Sequence, residues 1–237
     1  MTNLIIAERL ASLDTLTLDK GAHTDFDDGH CAMEVVAWLA GLGHTDAPSC
    51  ASSVLTTFTI SLNDPWDREQ RQTLKPFLPR MVGTRGDGLD EARSYLALDW
   101  LVRTYTPAWL DLAGLTAEAQ ELRGLRRIVD LVAAQAAGPV VRNASSKAAA
   151  AWDAAWAAAG DAAWDAAGDA AWDAAWDAAW AAAGDAARAA AGAAAWDAAW
   201  DAARAAAGAV PKPTVETLQA SALDLLDRMI LPEGGAS

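Results

Sequence analysis

An all-α fold is the class this sequence predicts, and three observations predict it. Apolar residues recur at helical spacings between Gly, Pro and Ser punctuation, few segments alternate with period two, and a long alanine-rich tract keeps a four-residue phase. Ala is the best helix former, so that tract reads as helix despite its glycines.

The elements follow in order. Cys31 to Leu42 carries Met33, Val36, Trp38, Leu39 and Leu42, mostly at helical spacings, and stops at Gly41 and Gly43. Ser49 or Ser52 caps a second helix running through Leu62. Residues 53–62, rich in Val, Thr and Ile, are also the best strand candidate; helix is preferred. Asn63-Asp64-Pro65 supplies an acidic N-cap and a proline at the first helical position, and Asp67 and Glu69 fall in the first turn. Pro76 and Pro79 interrupt that helix, which ends before Gly83. Leu89 to Tyr105 forms another, with Leu96, Trp100 and Leu101 on one face. Thr106-Pro107 starts a short helix to Gly114, and Thr116 a longer one through Leu122, Leu125, Ile128, Val129 and Val132 that ends at Gly138-Pro139. The last helix, Thr214 to Leu231, is amphipathic through Leu218, Ala222, Leu225, Leu226 and Met229.

Composition divides the chain into residues 1–138 of mixed sequence, the repeat at 140–209, and a linker with the last helix at 210–237. Eight of the twelve Trp fall between Trp152 and Trp200, which sets that tract apart. With 237 residues, the chain builds a core without needing disulfides or metals. A net charge of −14 argues against binding a phosphate backbone, so no direct nucleic-acid contact is expected. Asp interrupts every long apolar run, and no membrane span is expected. The opening residues lack a basic segment followed by an apolar one, and the two cysteines fit a reducing compartment. The expected location is the cytoplasm.

From Trp152 to Gly208 the phase holds without insertion or deletion. One slot holds Trp152, Trp156, Trp164, Trp172, Trp176, Trp180, Trp196 and Trp200, with Gly or Arg elsewhere; the next is Asp or Ala. Four residues exceed one turn, so the Trp column drifts by roughly 40° per repeat. A straight isolated helix would show Trp on every side. Three arrangements avoid this: breaks at the Gly-Asp steps, a right-handed supercoil, or neighbours all round. We expect helix from about Ser146 to Ala207, with most of these Trp shielded by packing within or between chains. Nine Asp against two Arg give the tract −7, half the total charge. Asp161, Asp165, Asp169, Asp173 and Asp177 repel at successive i,i+4 steps. They form either a solvated edge that keeps the tract soluble, or an acidic rod for a basic partner or a nucleic-acid mimic. A Trp column winding round its axis also predicts self-association as a homodimer, through the repeat or the last helix.

Chemistry concentrates in residues 25–34, which hold His30, Cys31 and Glu34, and in residues 44–50, which hold His44, Asp46 and Cys50. Cys31, His44 and Cys50 with Glu34, His30 or Asp46 would make a four-ligand zinc set, though the spacing matches no finger or ribbon. The cysteines are otherwise a buried reduced pair or a disulfide. No other cofactor is expected. A thiol nucleophile would need His30 or His44 as base. Residues 83–88 are Gly-rich but lack the Lys-Ser/Thr of a phosphate-binding loop and read as a plain loop. Glu34 reads as a buried carboxylate with a shifted pKa, or as a capped or Arg-paired one, with Arg68, Arg71 and Arg80 available.

The motifs Cys31-Ala-Met-Glu34, Trp38-Leu-Ala-Gly41 and His44-Thr-Asp46-Ala-Pro48-Ser-Cys50, continued by residues 62–64, Arg71, 74–76 and 80–84, resemble a family of uncharacterised proteins of actinobacteria and their phages. The resemblance covers about a quarter of the chain and implies an Ala-rich repeat downstream, which is present. It implies no activity. Two functional classes remain: a non-enzymatic accessory protein of phage or mobile-element type that binds a protein partner through its acidic repeat, and a small metal- or thiol-dependent enzyme centred on Cys31, Glu34, His44 and Cys50.

Overall fold

The computed structural model describes residues 5–159 and 212–232. Its regular structure is helical throughout, with no strand among the described residues. The order is α1 (Ala7–Ser12), a 3-10 turn (Leu13–Thr15), α2 (Ala32–Leu39), α3 (Ser53–Asn63), α4 (Arg68–Gln72), a 3-10 turn (Lys75–Phe77) and α5 (Leu78–Met81). Then come α6 (Asp90–Trp100), a π turn (Leu101–Tyr105), α7 (Thr106–Leu112), α8 (Thr116–Gly124), α9 (Leu131–Ala159) and α10 (Lys212–Ile230).

Helix α2 lies at the centre. Ala32, Met33, Val35, Val36, Ala37 and Leu39 are all buried, as expected of a helix that is apolar all round. It packs on α3 and α5; α3 packs on α6 and α10; α7 packs on α8, and α8 on α9. The strand-like composition of residues 53–62 does not make a strand. Ser52 caps the helix by accepting from Leu55 N, and Val54, Leu55, Phe58 and Leu62 fill the core, so tertiary context outweighs the β-branched preference. The last helix matches its sequence pattern closely. Leu218, Ala222, Leu225, Leu226 and Met229 are all buried within the chain, on a helix that packs against α6 and α3. That face is therefore occupied within a single chain.

Four helix boundaries differ from expectation. The N-cap expected at Asp64 lies at Asp67, whose carboxylate accepts from Gln70 N at 2.8 Å. Asp64 instead ends α3 and accepts from Gly21 N and Asn63 Nδ2. Leu89–Tyr105 and the Thr106-Pro107 helix form one path through the π turn. Pro107 has no N–H and its ring crowds the carbonyl four residues back, and the wider turn absorbs this instead of breaking the helix. The long helix from Thr116 stops early, at Gly124, and α9 starts anew with Asp130 accepting from Ala133 N at 2.7 Å. It then runs through Gly138-Pro139, where a stop was expected. Ala134, Ala137, Val141, Ala144 and Ala148 are buried on both sides of the proline. Continuous packing outweighs the local cost of about 3 kcal/mol for an internal proline. The compositional boundary near residue 139 is thus crossed by a helix.

The C-terminal helix is fastened by Arg93, which is fully buried. Its Nη1 and Nη2 donate to both oxygens of Asp87 at 2.7 and 2.6 Å, and Nη1 also reaches Asp90 Oδ1 at 3.0 Å. Its Nε donates to Met229 O at 2.9 Å and Nη2 to Ile230 O. All five guanidinium N–H groups are thereby used, two of them on carbonyls at the end of α10.

Candidate functional site

The sequence-derived cluster converges on Glu34, in the first turn of α2, where a carboxylate is favoured by the helix dipole. Only 1% of the residue is exposed. Glu34 Oε2 accepts from Cys31 N at 2.7 Å, and the Cys31 sulfur faces the Glu34 N–H, a capping box with a thiol in the usual hydroxyl position. The loop before α2 adds two more donors. His23 N donates to Glu34 Oε1 and His23 Nδ1 to Oε2, both at 2.8 Å. From the far end of α2, His44 Nε2 lies 3.2 Å from Oε1, an ion-pair distance without hydrogen-bond alignment.

The loop is shaped to present His23. Asp25 Oδ1 accepts from Asp27 N and Asp28 N, and Asp19 N donates to His30 O, closing the base. Gly29 sits at φ +133°, and a Cβ there would meet His23 Cδ2 at 2.7 Å, so both conformation and close approach require glycine. Beside this node stands a stack: Arg9 lies over Trp38, Trp38 stacks on Phe26 at 5.1 Å, and Phe26 stacks on His30 at 4.3 Å. His44 meets Phe26 edge-on. His30 Nε2 is buried with no hydrogen-bond partner among the described residues.

The electrostatics follow from these contacts. Burial alone would raise the Glu34 pKa, but the N–H groups of His23 and Cys31, the His23 ring and the charge of His44 outweigh it, and the net direction is down. Burial pushes the Cys31 thiol up to about 12, with the neighbouring Glu34 charge adding to the rise. Cys50 is also raised by burial. Both cysteines are free and buried, with no disulfide between them.

Of the four residues expected to bind zinc, Cys31, Glu34 and His44 meet at this node. Cys50 acts elsewhere, its carbonyl accepting from Gly83 N and Arg85 N and so anchoring the Gly-rich loop. Among the described residues, no three His, Cys, Asp or Glu side chains are grouped to hold a metal ion. The arginines expected to pair with Glu34 also have other uses. Arg71 donates to the carbonyls of Asn63 and Trp66 at the end of α3, and Arg80 pairs with Asp227 on α10. His23 and Arg9 were missed in the sequence. The available signal was that all three histidines of the chain fall within residues 23–44.

The repeat's candidate residues lie outside the described residues, except that Trp152 and Trp156 fall on the helical backbone of α9. Asp161, Asp165, Asp169, Asp173, Asp177, Trp164, Trp172, Trp176, Trp180, Trp196 and Trp200 are all outside. No helix among the described residues is long and apolar enough to cross a membrane. No family model, curated protein or solved structure matches the chain.

Proposed function

We propose that this is a non-enzymatic interaction protein, an accessory factor whose acidic Trp-Asp repeat binds a basic protein surface. One observation carries the choice over a metal- or thiol-dependent enzyme. The chemistry-bearing residues of the first region are spent on holding it together: Glu34 is buried, held ionised and engaged by three N–H donors, and the Cys31 thiol is raised to about 12. A general base needs a free lone pair facing substrate, and a thiol nucleophile needs an accessible thiolate. Neither condition is met at this node. The repeat, by contrast, supplies charge and aromatic surface in a low-variety pattern suited to binding. The phage or mobile-element setting rests on the family resemblance alone.

The test compares proteins retained by the immobilised full chain with those retained by a variant carrying Asp→Asn at 161, 165, 169, 173 and 177. Loss of specific, salt-sensitive partners in the variant is the expected result. Identical partners for both proteins would reduce the Asp to a solubility role, and stoichiometric zinc in the purified protein would favour the enzyme instead.

A further inference from the structure

Among the described residues, six large apolar side chains stand exposed, and three of them fall within four positions: Val129 at 55%, Leu131 at 39% and Val132 at 74%. They surround Asp130, the cap of α9, and follow directly on Arg126 and Arg127, which are also exposed. Ile128 between them is buried, and its N–H donates to Asp99, so the segment is anchored while its flanks face out. An apolar surface rimmed by cations marks an interaction site.

The sequence here is basic where the chain as a whole is acidic. Residues 123–147 carry five Lys and Arg and one Asp, in a protein of net charge −14. We propose that the surface of Arg126, Arg127, Val129, Leu131 and Val132 is the docking site for the acidic Trp-Asp repeat of a second copy of this chain. The inference rests on the reading of the repeat as a binding element and names its basic partner. The repeat offers both complements at once: Trp rings for the apolar side chains and for stacking under guanidinium groups, and carboxylates for charge-assisted hydrogen bonds. A second copy fits better than the chain's own repeat, because Trp152 lies about 30 Å along α9 from Val132. The other surface expected to pair two copies, the apolar face of α10, is already covered within the chain.

Sedimentation of the purified full chain over a range of concentration and salt tests this. A dimer that weakens with added salt is expected. Arg126→Glu with Arg127→Glu should raise its dissociation constant by about tenfold or more, and so should Asp161→Lys with Asp165→Lys. Mixing these two charge-reversed proteins should restore a heterodimer. Unchanged far-ultraviolet circular dichroism shows that the exposed substitutions leave the fold intact. A monomer at every concentration, a dimer indifferent to both reversals, or no rescue on mixing overturns the proposal. Crosslinks between repeat carboxylates and Lys placed at 126 and 127, examined in a mixture of isotopically light and heavy copies, must join light to heavy peptides; links confined to one copy also overturn it. If self-association fails these tests while Asp-dependent capture of another protein persists, the docking site alone is wrong. If both lose their dependence on Asp, the reading of the repeat falls with it.

Discussion

Arg93 and Glu34 are the two most deeply buried charges among the described residues, and they are satisfied in opposite ways. Arg93 is held by two carboxylates and two backbone carbonyls, and its bonds to Met229 and Ile230 span more than 130 positions of the chain. Glu34 is held by two backbone N–H groups and two imidazoles, all within residues 23–44. The first node closes the fold and the second organises one corner of it. Long-range closure and local order make different demands on the same chemistry. A fork with five donors reaches several elements at once, whereas a carboxylate at a helix start gathers donors from adjacent loops.

The largest expected effect breaks the Arg93 node. Arg93→Met leaves Asp87 without its partner and two carbonyls at the end of α10 without donors, at a cost of roughly 3 kcal/mol or more. Urea unfolding should show it, with proteolysis starting in α10. Arg93→Lys should recover only part, since an ammonium has three donors and no fork. Cuts appearing first near α2 would reverse the roles assigned to the two nodes.

Glu34→Gln should cost less, on the order of 2 kcal/mol, since an amide accepts fewer and weaker hydrogen bonds than the carboxylate. Its loss should appear locally, as faster hydrogen exchange in residues 19–31 with α10 still protected. A loss that spread evenly over the molecule would erase the distinction between a closing and an organising charge.

A smaller effect comes from pH. Burial raises Glu34 and Asp87, but hydrogen-bond donors lower both by more, His23 and Cys31 for the first and Arg93 for the second, and both end below ordinary carboxylate values. A depressed carboxylate contributes stability that is complete above its unfolded pKa and is lost as pH falls through its folded one. Stability should therefore hold from neutral pH down to the ordinary carboxylate range and decline below it. Glu34→Gln and Arg93→Met should each flatten part of that decline, as measured by urea midpoints at several pH values. An unchanged acid slope in both variants would mean that other carboxylates carry it.

The smallest effect is at Cys31. Exchange for Ser, the usual capping-box residue, should shift stability by less than about 1 kcal/mol. Thiol reagents should label neither cysteine in the native protein, and label both on unfolding. Rapid labelling of Cys31 in the folded state would contradict its raised pKa and reopen the thiol chemistry.

Much of this architecture is legible in the sequence, and the misreadings have physical causes. The α10 stripe was readable because its partners are apolar, so periodicity alone identifies the buried face. Glu34 was legible as a buried or a capped carboxylate, and the structure makes it both. His23 was not, because its role depends on a loop closed by Asp19 and His30 and on the absent side chain of Gly29. Arg93 was not legible because two of its acceptors, the carbonyls of Met229 and Ile230, lie more than 130 positions away. At Gly138-Pro139 two strong local signals were outvoted by the buried residues on either side, which only the packed structure reveals.

The passage of α9 through that proline carries a geometric consequence. Because the helix is unbroken from Leu131 to Ala159, the azimuth at which the first Trp position leaves the folded region is indexed by the core. One residue inserted between Ala148 and Trp152 would turn that starting angle by about 100°, while four added together would turn it by only about 40°. The junction therefore behaves like a keyed shaft: units of four can be gained or lost at modest angular error, but single residues cannot. A tract that grows by copying its own four-residue unit starts from a coupling that tolerates that increment far better than a step of one.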